Sequence, residues 1–433
     1  MNSEQLAKRF EKASHGSGMF EMHITRDVMH SALGVSEGYQ VPSALLSAML
    51  DNDRREALCA CIAGATDDMS HDGMTAYFQD EQGDLDALKQ DFTPPAVCDL
   101  VAAMADDADA YLDVCAGTGG LTISLWALHP QALFHCEEFS ARTVPALLLN
   151  MAVRNMRGEV VRKDVLTGET FERYVLEPSD RFSVVREVDE LPDRQYRTCV
   201  QNPPYSMKWD GLLRPWMRYG APPKSKSDYA FVEYGMAHAD RTIAILPHGV
   251  LFRGAAEGKI REAILRDNAL DAVVGLPEKM FLHTGIPVCL LSLSRGDGSV
   301  CVVNADELHD TEGKLNVMRP NHVRDVLSCL SMRRDVDRLC HVADAAEIER
   351  NRFNLNIPRY VDRYEEPEVP DMVELFKELN DIEGQITDTK KSLLDQIRNL
   401  IGTTDESRRE LAAFMPHMVE YLENDGGQLA WAI

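Results

Sequence analysis

The chain has 433 residues, 45% of them hydrophobic, a length that predicts two to four domains able to bury real cores. Its 45 Lys and Arg set against 70 Asp and Glu give a formal charge of −25, which argues against tight, unaided binding to a polyanion, because such affinity comes largely from cations that neutralise phosphates. No signal segment is visible and no apolar run approaches ~20 residues, so a cytoplasmic protein outside the membrane is expected; the ten cysteines are scattered without a Cys-x-x-Cys, which predicts reduced thiols and neither a metal site nor a disulfide framework.

In chain order, residues 1–88 read as a helical domain, with apolar-periodic runs at Ala44–Leu50 and Arg55–Ile62 and breaks at Gly16–Gly18 and Gly34. Ala110, Tyr111 and Leu112 then lead into Asp113-Val114-Cys115-Ala116-Gly117-Thr118-Gly119-Gly120, followed by Leu121–Trp126. This is strand, glycine turn, helix: the glycines let backbone approach a ligand and the helix start offers free amides. No Gly-Lys-Ser/Thr follows and the dinucleotide spacing is absent, so neither a P-loop nor a dinucleotide site is implied. Ala132–Cys136 predicts a second strand ending at Glu137-Glu138, Arg142–Arg157 a helix, and Val160–Val165 a third strand carrying Asp164 near its end. An acid at the carboxyl end of the second strand is where α/β nucleotide folds hold ribose hydroxyls, although each acid taken singly also reads as a solvated strand end.

Asn202-Pro203-Pro204-Tyr205 follows Thr198-Cys199-Val200-Gln201. Two prolines can neither continue a helix nor pair in a central strand, so the segment ends a strand and turns sharply. An amide oxygen, a rigid carbonyl and an aromatic ring in one small space suit a planar amine. Asn202 and Pro203 accept its two hydrogens, which localises the nitrogen lone pair, and Tyr205 stacks on the ring. The alternative is a proline-rich turn without chemistry. Just beyond, Lys208, Arg214, Arg218, Lys224 and Lys226 are interleaved with Trp209, Trp216 and Tyr219, and Asp210 is the one acid among them. Basic residues interleaved with aromatics read either as a nucleic-acid-facing loop or as an ordinary solvated one.

Later strands are predicted at Arg241–Leu246, Leu270–Gly275 and Val288–Ser294, alternating with helices at Asp228–Ala237 and Ala255–Asn268, which implies a mostly parallel sheet covered on both faces. Glu365–Pro370 reads as a linker. Leu375, Leu379, Ile382, Ile386 and Leu393 trace a stripe spaced three and four, with Thr389 in the series, Ile397 and Leu400 continuing it, Gly384 weakening it and Gly402 as the expected stop. The stripe fits a helix packed on its own domain or a partner-binding coil. Pro416 is expected to break the helix that follows, and the Gly426-Gly427 tail to be disordered.

Taken together, Phe92-Thr93-Pro94-Pro95, the Asp113–Gly120 turn, Glu137, Asp164, Asn202–Tyr205, Lys224–Phe231, Ile245–Gly254, Gly275–Phe281, Thr284–Pro287 and Asn354–Tyr360 resemble the modification subunits of type I restriction–modification systems, adenine-N6 DNA methyltransferases that use S-adenosylmethionine. The chain departs from that pattern where Val114 stands in place of the usual proline after the first acid, and the stretch ahead of Phe92 is shorter than in most members.

The resemblance implies an α/β, Rossmann-like methyltransferase domain over 89–365 between helical regions at 1–88 and 366–433. Phe92, Thr93 and Pro94 would cover the methionine end of the cofactor. Asp113, Ala116, Gly117, Thr118 and Gly119 would line its backbone-facing side, while Glu137 takes the ribose and Asp164 the adenine amino group. Tyr205 and Phe281 would sandwich a flipped adenine held by Asn202, Pro203 and Pro204, with no metal. Implied partners are double-stranded DNA and a specificity subunit that binds two modification subunits and docks on the C-terminal helix; a restriction subunit is left open. Competing readings are a protein-glutamine methyltransferase, which poses the same amide problem, an RNA methyltransferase, or a non-catalytic assembly subunit that keeps the fold.

Overall fold

Apolar runs of four to nine residues, several closed by an acid or a proline, become the strands of one 11-stranded sheet in a computed structural model that describes residues 26–64, 69–75, 77, 92–281, 285–362 and 371–423. The central strands are β1 (Ala110–Val114), β2 (Leu133–Glu138), β3 (Arg157–Lys163), β6 (Tyr196–Gln201) and β7 (Ala239–Pro247), all parallel and ordered β3-β2-β1-β6-β7. β9 (Val288–Leu293) runs antiparallel between β7 and β8 (Ala272–Gly275). β4 (Thr170–Glu177) and β5 (Val184–Glu187) extend one edge, and β10 (Val300–Asn304) and β13 (Cys340–Ala343) extend the other.

Helices pack on both faces. Val144–Val153 is buried at every position, because strands β3, β4 and β5 lie beneath it while Val41–Leu50 and Asn52–Ala63 cover its outer side. Those two helices and Arg26–Leu33 carry the apolar runs of the N-terminal region, and they belong to the same compact unit as the sheet, residues 1–363. Gly34 ends Arg26–Leu33 in the left-handed region, at φ +68°. Asp51 caps Asn52–Ala63 by accepting from Arg54 N at 2.9 Å. Pro95–Met104 and Gly120–Leu128 pack together ahead of and after β1.

The strands predicted at 241–246, 270–275 and 288–294 form within a residue or two, as do the helices Asp228–His238 and Ala255–Arg266. The β4–β5 extension, β10, β13 and the small pair β11 (Asp310–Glu312) and β12 (Leu315–Val317) were not expected. The linker at Glu365–Pro370, Gly16–Gly18, Thr284 and Gly426-Gly427 lie outside the described residues.

The second unit, residues 364–433, contains Met372–Arg398 packed on Asp405–Glu423. The first of these helices runs unbroken through Gly384, capped by Asp371, whose side chain accepts from Val373 N at 2.8 Å, and ends at Arg398, four residues before Gly402. The second passes through Pro416 instead of breaking there. A proline inside a helix removes one hydrogen bond and crowds the preceding turn, and that local cost is met by the turns on either side. Among the described residues no helix is long and apolar enough to cross a membrane.

Candidate active site

The chain leaves β1 for β2 on one side and returns to β6 on the other, so a crevice opens at the carboxyl ends of β1 and β6, where the connections part. The glycine turn forms its floor. Gly119 has φ +98° and a Cβ there would stand 2.8 Å from Leu147 Cδ1; Gly117 has φ +59° under the Phe92 ring. Ala116 N donates to the Glu137 carbonyl at 3.1 Å, and Gly117 N to Glu138 Oε2 at 2.9 Å, so the turn is tied to the end of β2. Phe92, Thr93, Ala116, Gly117, Thr118, Glu137, Asp164, Asn202, Pro203, Pro204 and Tyr205 line this one cleft. Pro94, Asp113, Gly119 and Phe281 do not.

Successive residues of β2 face opposite sides, and the two acids at its end have different work. Glu137 Oε1 accepts from Lys163 Nζ at 3.0 Å and from the Tyr234 hydroxyl at 2.8 Å, with His135 Nε2 at 3.7 Å. Burial alone would raise its pKa, but the His135 imidazole beside it and the Lys163 charge outweigh that and hold the carboxyl at about 2. Its Oε2 is buried without a hydrogen-bond partner among the described residues, an unused acceptor at the cleft wall. Glu138 spends both oxygens on backbone, taking Gly117 N and Ser140 N, and burial raises its pKa. Asp164 takes Leu166 N at 2.9 Å and Thr167 N at 3.2 Å, closing the turn after β3.

Asp113 lies beneath the turn, where its Oδ2 accepts from the Thr122 hydroxyl at 2.6 Å; burial pushes its carboxyl up to about 7. Its place at the last-but-one position of β1 points it into the helix that follows and away from the cleft.

Across the cleft, Asn202 Nδ2 donates to Thr93 Oγ1 at 2.9 Å and Oδ1 accepts the Tyr205 hydroxyl at 2.9 Å, which fixes the amide orientation. Tyr205 and Phe281 meet edge to face at 76° with centroids 6.3 Å apart. They are not parallel plates, and a base between them requires the rings to turn, Phe281 being packed in the core. The turn leaves through Ser206 at φ +50°, held by Asp228, whose Oδ1 accepts Ser206 N at 2.7 Å. Asp228, fully buried, is paired with Arg253 at 3.1 Å, and Arg253 with Glu257 at 3.2 Å.

The basic loop is less free than its sequence suggests. Arg214 is taken by Asp210 and the Leu166 carbonyl, and Arg218 pairs with Asp267 at 3.0 Å. Lys208 and Lys224 are exposed and Lys226 half-buried. Sequence reasoning missed Lys163, Tyr234, Glu138, Phe139 and Thr75 as parts of the site. Lys163 and Glu138 each adjoin a residue that was singled out, but nothing in the local pattern points to Tyr234, which reaches the cleft acid from mid-helix.

The pattern that defines the N-6 DNA methylase family matches residues 77–369. The chain is 27% identical over 338 residues to the type I restriction enzyme MjaVIII methylase subunit of Methanocaldococcus jannaschii, covering 72% of this chain and 56% of that one. It is 24% identical over 337 residues to the MpnII methylase subunit of Mycoplasma pneumoniae, covering 72% and 59%. It therefore spans less than two thirds of the length of either relative. Its fold is similar to that of the type I restriction–modification methyltransferase subunit from Streptococcus thermophilus, with a TM-score of 0.59 at 24% identity over 83% of this chain and 80% of that one. With a match over well more than half its length, the chain belongs to the N-6 DNA methylase family.

Proposed function

We propose that this chain transfers a methyl group from S-adenosylmethionine to the exocyclic amine of adenine in double-stranded DNA, as the modification subunit of a type I-like system. The observation that carries the reading is the Asn202–Tyr205 turn facing the glycine turn across one cleft, with the amide oxygen of Asn202 presented as an acceptor. The residues fit the cofactor: Glu137 has a buried, unused oxygen for a ribose hydroxyl, Gly117 leaves room beneath Phe92, and Asp164 stands at the far end of the cleft. When bound, S-adenosylmethionine supplies an electrophilic methyl group carried on a sulfonium.

The chain's own part is positioning. Asn202 Oδ1, which accepts the Tyr205 hydroxyl, takes one amine hydrogen as well in this reading, and the Pro203 carbonyl takes the second. Both acceptors draw the amine's lone pair out of conjugation and aim it across the cleft; alignment of this kind supplies most of the rate. The adenine must leave the duplex first, at a cost of a few kcal/mol, which stacking on Tyr205 offsets by roughly 1–3 kcal/mol. With Lys208, Lys224 and Lys226 the cations of the adjoining loop that have no ion pair among the described residues, DNA affinity is supplied by a specificity partner, docked on the exposed stripe of Met372–Arg398.

The test is transfer of labelled methyl from S-adenosylmethionine, by the chain alone and with the subunits encoded beside it, to duplex DNA, RNA and glutamine peptides. Label on DNA adenine, strongest with the partner, is expected. Label confined to peptide or RNA would replace this reading by one of its competitors.

A further inference from the structure

Segment 69–75 meets the glycine turn through Asp72, with the Thr75 hydroxyl 3.4 Å from that of Thr118 beside it. Asp72 Oδ1 accepts from Asn150 Nδ2 at 2.7 Å and Met74 N at 2.8 Å, while Oδ2 accepts from the hydroxyls of Thr75, at 2.7 Å, and Thr118. Four donors fill the lone-pair sites of a carboxylate. Around it, Asn150 Nδ2 also donates to the Thr118 carbonyl at 2.7 Å. Arg154 clamps the segment from Val144–Val153's last turn, giving Nε to the Met69 carbonyl at 2.7 Å and Nη2 to the His71 carbonyl at 2.6 Å. Asn150, Arg154 and Thr118 are all buried.

Packing alone does not call for this arrangement, since the same contact could be made by apolar side chains. Its polar groups converge on Thr118, which sits between two glycines at positive φ and lines the cleft. Those glycines leave the turn conformational freedom that a tether on Thr118 removes. Thr75, from the same segment, lines the cleft as well.

We propose that Asp72 is a positioning residue for cofactor capture. It ties segment 69–75 to Thr118, so the glycine turn takes its cofactor-holding form when that segment is docked, and cofactor binding in turn strengthens the docking, as reciprocal coupling requires. This rests on the reading of the cleft as an S-adenosylmethionine site.

The test uses the full chain without DNA. Titration calorimetry measures S-adenosylmethionine affinity of the wild type, Asp72→Asn and Asp72→Ala, and amide hydrogen exchange follows residues 69–75 with and without cofactor. Asp72→Ala is expected to weaken binding about tenfold, within the range that couplings between sites take, and Asp72→Asn less, because the Thr75 and Thr118 hydroxyls can accept as well as donate. Cofactor should slow exchange in the segment of the wild type and lose that effect in Asp72→Ala. Affinity within twofold of wild type in folded Asp72→Ala, with the segment still protected by cofactor, overturns the proposal. If Asp72→Ala does not fold, wild-type affinity and wild-type protection in Asp72→Asn overturn it equally. A wild-type chain that fails to bind S-adenosylmethionine refutes the reading of the cleft itself, a result distinct from the other two.

Discussion

Glu137 and Asp113 are both buried carboxylates near the ends of neighbouring strands, and their surroundings push them in opposite directions. Glu137 stays ionised beside Lys163 and offers Oε2 as an acceptor. Glu137→Ala should weaken S-adenosylmethionine binding by ~1.5–3 kcal/mol, the size of a charge-assisted contact, and calorimetry reads this as a loss of roughly ten- to a hundredfold. Asp113, by contrast, has its pKa raised by burial from an ordinary 3.8 to about 7. An acid that is harder to ionise in the folded state binds more protons there than in the unfolded chain, so it costs stability as pH rises from about 4 through 7. Asp113→Asn should therefore flatten the fall in stability between about pH 4 and pH 7, measured by denaturant unfolding at each pH; an unchanged slope would mean that the carboxyl ionises freely.

At the scale of elements, the chain's motifs carry the site and its flanks carry the surprises. The glycine turn, the Asn202 turn and strands β1, β2, β3 and β6 were legible because each couples a short apolar run to residues that only a turn tolerates. β4 was hidden because its run, Thr170–Glu177, interleaves Glu172 and Arg173 with Tyr174 and Leu176, so it reads as polar until β3 pairs along its edge and Val144–Val153 packs on one face. β10 is a five-residue run that shows as a strand only once β8 and β13 pair with it. The sandwich expected of Tyr205 and Phe281 was beyond sequence altogether, because ring orientation is set by packing. Asp228 shows the same limit: its role at Ser206 depends on a helix and a turn brought together only by the fold. Arg253→Met would strand that buried carboxylate, and losing one partner of such a pair costs about 3–5 kcal/mol, so a fall in the unfolding midpoint of the catalytic unit is expected.

For the whole molecule, the −25 charge and the apolar stripe fit the proposal that this acidic chain takes its grip on DNA from a partner. Leu375, Leu379, Ile382, Ile386 and Leu393 are 40–53% exposed along Met372–Arg398 even with Asp405–Glu423 packed on that helix. Leu379→Asp with Ile386→Asp should block assembly with the specificity subunit in size-exclusion chromatography, while circular dichroism and cofactor binding of the catalytic unit stay as in the wild type. Everything else depends on the Asn202 turn. The decisive measurement is mass spectrometry of nucleosides from duplex DNA treated with S-adenosylmethionine and the chain with its partner, comparing wild type with Asn202→Ala. N6-methyladenine from the wild type and none from Asn202→Ala, at nearly equal cofactor affinity, is the expected result, because Asn202 acts on the amine chiefly in the transition state. Methylation that persists at wild-type turnover in Asn202→Ala, or no N6-methyladenine from the wild-type assembly, would contradict it.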